Sequence, residues 1–558
     1  MTAPARVTPT RSVLRSYAPI GAAVLAFLVM SSTVEPLPRA RLTRNAGPQE
    51  SAVGSSGPIQ EGAPGTGGSV DTATGGAAGS AGQAAVGATG PVRGRGYVPP
   101  GAQPCADRAL QVQGDPYSPP CYAFTGNNGG GATRGVTKDE IVVTVRQLEG
   151  PSAAEIFADI SGERVNDSPE AAMDTVKAYS EYFQKRFNFY GRKLRVEFFK
   201  GQGSGSEELL GGGREKALAD AVKASKEHGA FADISGITIP YADALSRQQV
   251  VNFGSPYPSR KWFVERRPYS WSLFPDGTNV VEASVAWITA RLVGQKTAEY
   301  AGPAYKGQPR KYAVIAPENA EYQESVNQYI TKVQGAGFNI AMNLKYKLDI
   351  NSMPNQASNI IAQVKDAGIT SLICACDPVM LALGLTAKAN EQDYEPEWIT
   401  AGLAFVEQDL VAQLIDDDQW KRAFGIAYNA QPEPLTRSFP YAAYKSQRPN
   451  DEPAFGFEEI YYQMYLLAIG VHMAGPNLTP QTFETGMFAY PGGSGPRGSW
   501  GFGEGDYTPM DDFREIWWSP TRISSQNNKP GAWVQLNAGA RYFPGTVPRG
   551  RPPFFEQG

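Results

Sequence analysis

Beyond residue 134, the apolar residues of this 558-residue chain fall into two alternating kinds of run. Short continuous runs predict strands buried on both faces. Longer runs with an apolar residue every three or four positions predict amphipathic helices. Gly135–Val145 ends in a Val/Ile run and predicts a strand. Ala171–Asn188 predicts a helix, with Val176, Tyr179, Phe183 and Phe187 at helical spacing. Leu194–Phe199, Phe231–Ile234 and Val250–Phe253 predict further strands, separated by helices at Arg214–His228 and Tyr241–Gln249. After Ser272–Pro275 the alternation resumes. It gives helix Asn279–Leu292, strand Lys311–Ala316, helix Tyr322–Gly335, strand Phe338–Tyr346 and helix Asn355–Ala367. Strand Leu372–Cys376, a helix after Pro378 and strand Glu397–Thr400 follow. A long helix at Phe457–Met473 and an aromatic C-terminal region complete the chain. Such βα alternation predicts an α/β fold with two successive parallel-sheet units, broken near Pro275.

One strand end carries candidate chemistry. In Ile369–Met380 the apolar run stops at Asp377-Pro378, where a helix begins. Asp is a good N-cap and Pro suits the first helical position. Ligands of open α/β sheets collect where strands end and helices begin. Asp377 therefore has two open readings: a cap alone, or a cap that also meets a ligand. Cys374 and Cys376, two residues apart on the strand, would face the same way with parallel Cβ vectors. That predicts two buried thiols, with a strained disulfide or a metal pair as alternatives.

The N-terminus is patterned differently. Arg6, Arg11 and Arg15 precede an apolar stretch from Ala18 to Met30. This suits a signal h-region better than a full membrane span. Residues 1–42 are expected to be a cleaved signal peptide or an uncleaved signal anchor, the anchor lying within residues 18–34. Residues 43–104 are rich in Gly, Ala, Ser and Pro and predict a disordered linker. If flexible, about 60 such residues span roughly 40–45 Å. In an exported protein, Cys105 and Cys121 are expected to form a disulfide that pins a lead-in over residues 105–134. The chain-entropy estimate gives such a link about 3 kcal/mol.

Charge and composition narrow the function classes. The formal net charge is -4, which gives no electrostatic case for nucleic acid. Histidine occurs only at His228 and His472, so His-based catalysis and His-rich metal sites are disfavoured. His228 reads as a surface turn residue; His472 sits at a helix end, where a protonated ring would favour the dipole. GSGPRG at Gly493–Gly498 has the Gly-x-Gly-x-x-Gly spacing, but no strand and helix flank it, so it reads as a loop. No nucleophile elbow or metal spacing is present, and catalysis is disfavoured.

Five phrases, in this order and spacing, resemble the type I periplasmic (solute-binding) proteins of branched-chain amino-acid-type ABC transporters. GVTKDEIVVTV resembles that family's opening strand, and FYGRKLRVEFF its second-strand step. KYAVIAPENAEYQESVNQYITKVQGAGFNI resembles the first βα unit of its second lobe. EEIYYQMYLLAIGVHMAG resembles the long helix near its end, and GDYTPMDD its closing segment. The resemblance implies two doubly wound parallel-sheet lobes joined by a hinge, residues 135–275 with 445–490 and residues 276–444 with 491–558. It also implies an exported protein that captures a small polar solute, such as an amino acid, between its lobes for an ABC-transporter permease.

Carried over by position, the implied ligand-binding residues are Gly236, Thr238, Ser255 and Tyr257 on the first lobe. Tyr322, Asp377 and Glu407 correspond on the second, with no metal and no cofactor. Two departures bear on an amino-acid ligand. Gly201-Gln202-Gly203 lacks an acidic pair common in the family, and Ser235–Pro240 carries fewer hydroxyls. The alternative expectation is an envelope-tethered sensor or scaffold with the same fold and a protein partner, held at the membrane if the N-terminal segment stays attached.

Overall fold

The computed structural model describes Ser31–Ser32 and residues 96–149, 168–209, 211–349 and 351–555. Two parallel sheets organise these residues, and both are built in the same order. In the first, β1 (Glu140–Glu149), β2 (Lys193–Lys200), β3 (Ala232–Asp233), β4 (Val251–Phe253) and β5 (Ser270–Trp271) lie as β2-β1-β3-β4-β5. In the second, β6 (Tyr312–Pro317), β7 (Ile340–Tyr346), β8 (Ser371–Cys374), β9 (Glu397–Thr400) and β10 (Ala423–Ala427) repeat the pattern as β7-β6-β8-β9-β10. An antiparallel extension follows: β11 (Phe513–Ile523) joins β10, and β12 (Pro530–Gln535) and β13 (Arg541–Tyr542) both pair with β11. The α/β fold read from the alternation is the observed one, with element ends moved by a few residues and with β5, β10 and the antiparallel extension added.

The reason lies in two-sided burial. Every residue of β6 is buried. Tyr312, Val314 and Ala316 enter one core, together with Val280 and Trp287 of α4 (Gly277–Arg291) and Val326 and Tyr329 of α5 (Ala320–Gly335). Ala313 and Ile315 point the other way, into a core shared with Ile360, Ile361 and Val364 of α6 (Met353–Asp366). A strand covered on both faces reads as a continuous apolar run. Each large side chain so buried stabilises the fold by about 1.5–3 kcal/mol relative to exposure.

Local signals set the helix ends. α1 (Pro169–Gln184) starts where Ser168 accepts from the Ala171 N–H, with Pro in its first turn. Asp276 caps α4 by accepting from the Asn279 N–H at 2.7 Å. α7 (Phe457–Ala474) is apolar nearly all round and buried nearly throughout, as suits a helix inside a core. It packs against α1 and α8 (Pro480–Ala489), and a Cβ on Gly470 would overlap the Phe483 ring.

The lead-in is held as expected. Cys105 and Cys121 form a disulfide with Cα atoms 5.4 Å apart. The Tyr465 hydroxyl donates to Asp115, and the Tyr117 hydroxyl to the Gly498 carbonyl. His472 departs from its expected role at the helix end. It is fully buried, its Nδ1 accepts from the Asn188 N–H, and its Nε2 lies 2.8 Å from the Pro120 carbonyl. Burial pushes its pKa down to about 4, so the ring is neutral rather than a cation for the dipole.

Residues 96–104, expected in the linker, lie against the fold. The Tyr122 hydroxyl donates to the Tyr97 carbonyl, and Gly101 abuts Pro476. Ser31–Ser32, within the expected export segment, pairs in parallel with Leu148–Glu149. The rest of that segment, and the linker up to residue 95, lie outside the described residues. Among the described residues no helix is long and apolar enough to cross a membrane.

Candidate functional site

In both sheets the strand order reverses between the first and third strands, and such switch points form crevices at strand ends. In the second sheet this point lies beyond Pro317 and Cys374, where Tyr322 and Asp377 stand. Asp377 is buried. Its Oδ1 accepts from the Val379 and Met380 N–H groups, each at 3.0 Å. Its Oδ2 accepts from the Tyr346 hydroxyl at 2.7 Å, and its own N–H donates to that hydroxyl at 3.0 Å. The cap predicted from Asp377-Pro378 is therefore formed. It opens a π-helical stretch, Met380–Leu385, before the chain settles into an α-helix at Thr386–Glu391. Burial raises the Asp377 carboxyl above the ordinary carboxylate range, against the pull of Tyr346 and the two backbone N–H groups.

The cysteine reading is corrected. Cys374 and Cys376 form a disulfide, with Cα atoms 5.0 Å apart. The parallel-vector argument needed both residues on one strand. β8 ends at Cys374, so the chain leaves the pleat before Cys376 and the side chains converge.

Behind Asp377 lies a cavity of about 110 Å³. Its floor is β6, β8, β9 and β10 through Val314, Ile373, Ile399 and Ile426. Its roof is α4 and α5 through Val280, Trp287, Val326 and Tyr329, and its mouth carries Tyr257, Tyr322, Asp377 and Leu403. The lining is apolar almost throughout. Among the described residues that line it, there is no Lys, Arg or His, and Asp377 is the one carboxylate. The Ser325 hydroxyl, on the α5 wall, makes no hydrogen bond.

The residues carried over from the family pattern are scattered by the fold. Tyr322 and Asp377 line the cavity, and Tyr257 joins them from the first sheet's side. Tyr257 has φ of 66°, and its hydroxyl accepts from the Ala404 N–H at 3.0 Å. Thr238 donates instead to the Glu208 carboxylate and lines a separate crevice of about 20 Å³ with Tyr322 and Asn319. Across that crevice Arg214 pairs with Glu321. Gly236 lines neither space: a Cβ there would meet Asn252 at 3.0 Å and Leu245 at 3.1 Å, so its role is close packing. Ser255 is fully buried, with an unpartnered hydroxyl, and also lines neither.

Glu407 does not line the cavity. One of its oxygens accepts from Asn429 at 2.6 Å, and the other has no hydrogen-bond partner. Arg497 donates to the same Asn429, and Arg514 reaches the Ala430 carbonyl. Burial pushes the Glu407 carboxyl up to about 7, opposed chiefly by its own backbone N–H and by Arg514.

The sequence reading missed the cavity walls. Val280, Trp287, Val326 and Tyr329 sit at helical spacing, and that pattern is the same whether an apolar face meets a neighbour or a void. It also missed Arg146, fully buried and paired with Glu208 and Asp220 at 2.8 and 3.1 Å. Among the described residues, no group of His, Cys, Asp and Glu is placed to hold a metal ion.

No protein-family model and no curated protein matches the sequence. Solved structures do match the fold. A solute-binding protein of an ABC transporter from R. palustris, in complex with 4-hydroxybenzoate, is 11% identical with a TM-score of 0.50. The match covers 73% of this chain and 97% of that one. A second such protein, from Rhodopseudomonas palustris BisB5 in complex with 3,4-dihydroxybenzoic acid, is 12% identical, with a TM-score of 0.49 over 72% and 97% of the two chains. A fatty acid ABC transporter substrate-binding protein from Thermomonospora curvata is 14% identical, with a TM-score of 0.48 over 74% and 95%. At such identities the likeness is one of fold.

Proposed function

We propose that the chain is an exported solute-binding protein that presents a small molecule to an ABC-transporter permease. One observation carries the reading. Tyr322 stands where the second sheet's switch point meets the first sheet's loops, and it lines both the cavity and the crevice beside Thr238 and Glu208. Convergence of two switch points on one space is the arrangement expected of a two-lobed binder. The disulfides Cys105–Cys121 and Cys374–Cys376 favour an oxidising, extracytoplasmic setting. The role is recognition rather than bond-breaking. His472 is engaged by Pro120 and Asn188, and His228 stacks on Phe199 near Glu197, so neither ring is turned to a nucleophile.

A thermal-shift screen of the full chain against a broad metabolite set tests the reading, because a ligand bound only by the native state raises the melting temperature. At least one stabilising compound is expected, and pull-down from membranes should recover a permease. A screen without a stabilising compound, with recovery of other envelope proteins, would favour the sensor or scaffold alternative.

A further inference from the structure

Resting on the solute-binding reading, we infer that the solute is a compact, uncharged, largely apolar molecule, held beneath α4 and α5 against the second sheet rather than clasped between the lobes. Three observations lead there.

The first is size and lining. A cavity of about 110 Å³ walled by Val280, Trp287, Val326, Tyr329, Ile373 and Ile399 suits one ring or a short branched chain. An engineered apolar cavity of roughly 150 Å³ takes benzene. The second is charge. An ion buried without a partner is strongly disfavoured, and no cationic side chain among the described lining residues could meet an anion. Asp377 would repel an anion, and its oxygens are already engaged by Val379, Met380 and Tyr346. An ammonium group would have to draw it away from that cap. The free Ser284 and Ser325 hydroxyls, on the α4 and α5 walls, leave room for a neutral polar group on the solute. The third is what fills the alternative place. The crevice between the switch points is only about 20 Å³: Arg214 spans it to Glu321, and Thr238 on its first-sheet side is already bonded to Glu208.

Toluene, nitrobenzene and benzoate test this on the full chain. Nitrobenzene and benzoate share shape and size and differ in charge. Toluene and nitrobenzene are expected to raise the melting temperature in a concentration-dependent way, and benzoate to bind at least about tenfold more weakly than nitrobenzene. Val326→Phe fills the cavity from the roof and should abolish the shift by both neutral probes. Ala316→Leu fills it from the floor and gives an independent second variant. Circular dichroism confirms that a filled variant is folded before it is scored.

Benzoate binding as tightly as nitrobenzene overturns the uncharged class. So does a shift by the neutral probes that survives in a folded, filled variant, or no shift by either neutral probe. Failure of this inference is distinguishable from failure of the function. A polar metabolite that stabilises the chain equally with and without Val326→Phe leaves solute binding standing and removes this site. A chain stabilised by no compound of either kind loses both.

Discussion

Asp377 shows how much one side chain can hold. It satisfies two backbone N–H groups after a strand end and a buried phenol at the end of β7, two strands away. Asp377→Ala should cost about 2–4 kcal/mol, the sum of a lost cap and an orphaned hydroxyl. Urea denaturation measures it. In Tyr346→Phe the further loss on Asp377→Ala should fall toward the cap alone, about 1 kcal/mol. Glu407 sets a pH dependence. Its folded pKa of about 7 lies above the ordinary 4.5, so between those values the folded state holds more protons than the unfolded one. The contribution is full below pH 4.5 and is lost as pH rises through 7, amounting to about 3 kcal/mol at most. Buried Glu459, also raised to about 7, adds in the same direction. His472, lowered from 6.5 to about 4, works oppositely, so its share of stability grows as pH rises from 4 to 6.5. Glu407→Gln should flatten part of the decline between pH 5 and 7 and raise stability at pH 8, read from denaturation midpoints across that range.

At the scale of elements, the strand that ends at Cys374 explains both what could be read and what could not. Parallel strands covered on both faces leave continuous apolar runs, and the helices between them leave a stripe, so the order of elements was legible from Gly135 to Thr400 apart from the two-residue β5, whereas β10, the antiparallel extension β11–β13 and α8 were not read. The place where a strand stops was not. Two residues of difference turned two parallel thiols into a bridge, and a π-helical turn stands where a regular helix was expected. The cavity was illegible for another reason: Val280 and Val326 look like core because they face apolar neighbours across an empty space. Glu407, assigned by position to the ligand set, is buried with Asn429, Arg497 and Arg514 brought toward it from distant segments. The two disulfides should differ in weight. Loop entropy grows with the length closed, so Cys105→Ala with Cys121→Ala should cost about 3 kcal/mol, and Cys374→Ala with Cys376→Ala about 1–2 kcal/mol. Guanidinium unfolding of the two double variants compares them.

For the whole molecule, the location of the cavity predicts how the lobes behave. A ligand moves an equilibrium between open and closed forms only if it binds one of them better. A solute whose cavity is walled by the second sheet, α4 and α5, with only Tyr257 from the first sheet's side, would distinguish them weakly. Small-angle scattering should therefore give the same radius of gyration with and without saturating toluene, whereas a solute clasped between lobes would compact the protein. Tyr257, whose hydroxyl bridges to the Ala404 N–H, is the link between the first sheet's side and the cavity mouth.

The first sheet is finished by residues encoded long after it. The Tyr179 hydroxyl of α1 donates to the Pro440 carbonyl, a separation of 261 residues, and α7 and α8 close the same core later still. At translation rates of about 5–20 residues per second, α1 waits roughly 13–50 s for its partners. During that wait its apolar stripe has the early strands but lacks α7. Completion of the first sheet's core is thus delayed by the order of the chain's own synthesis.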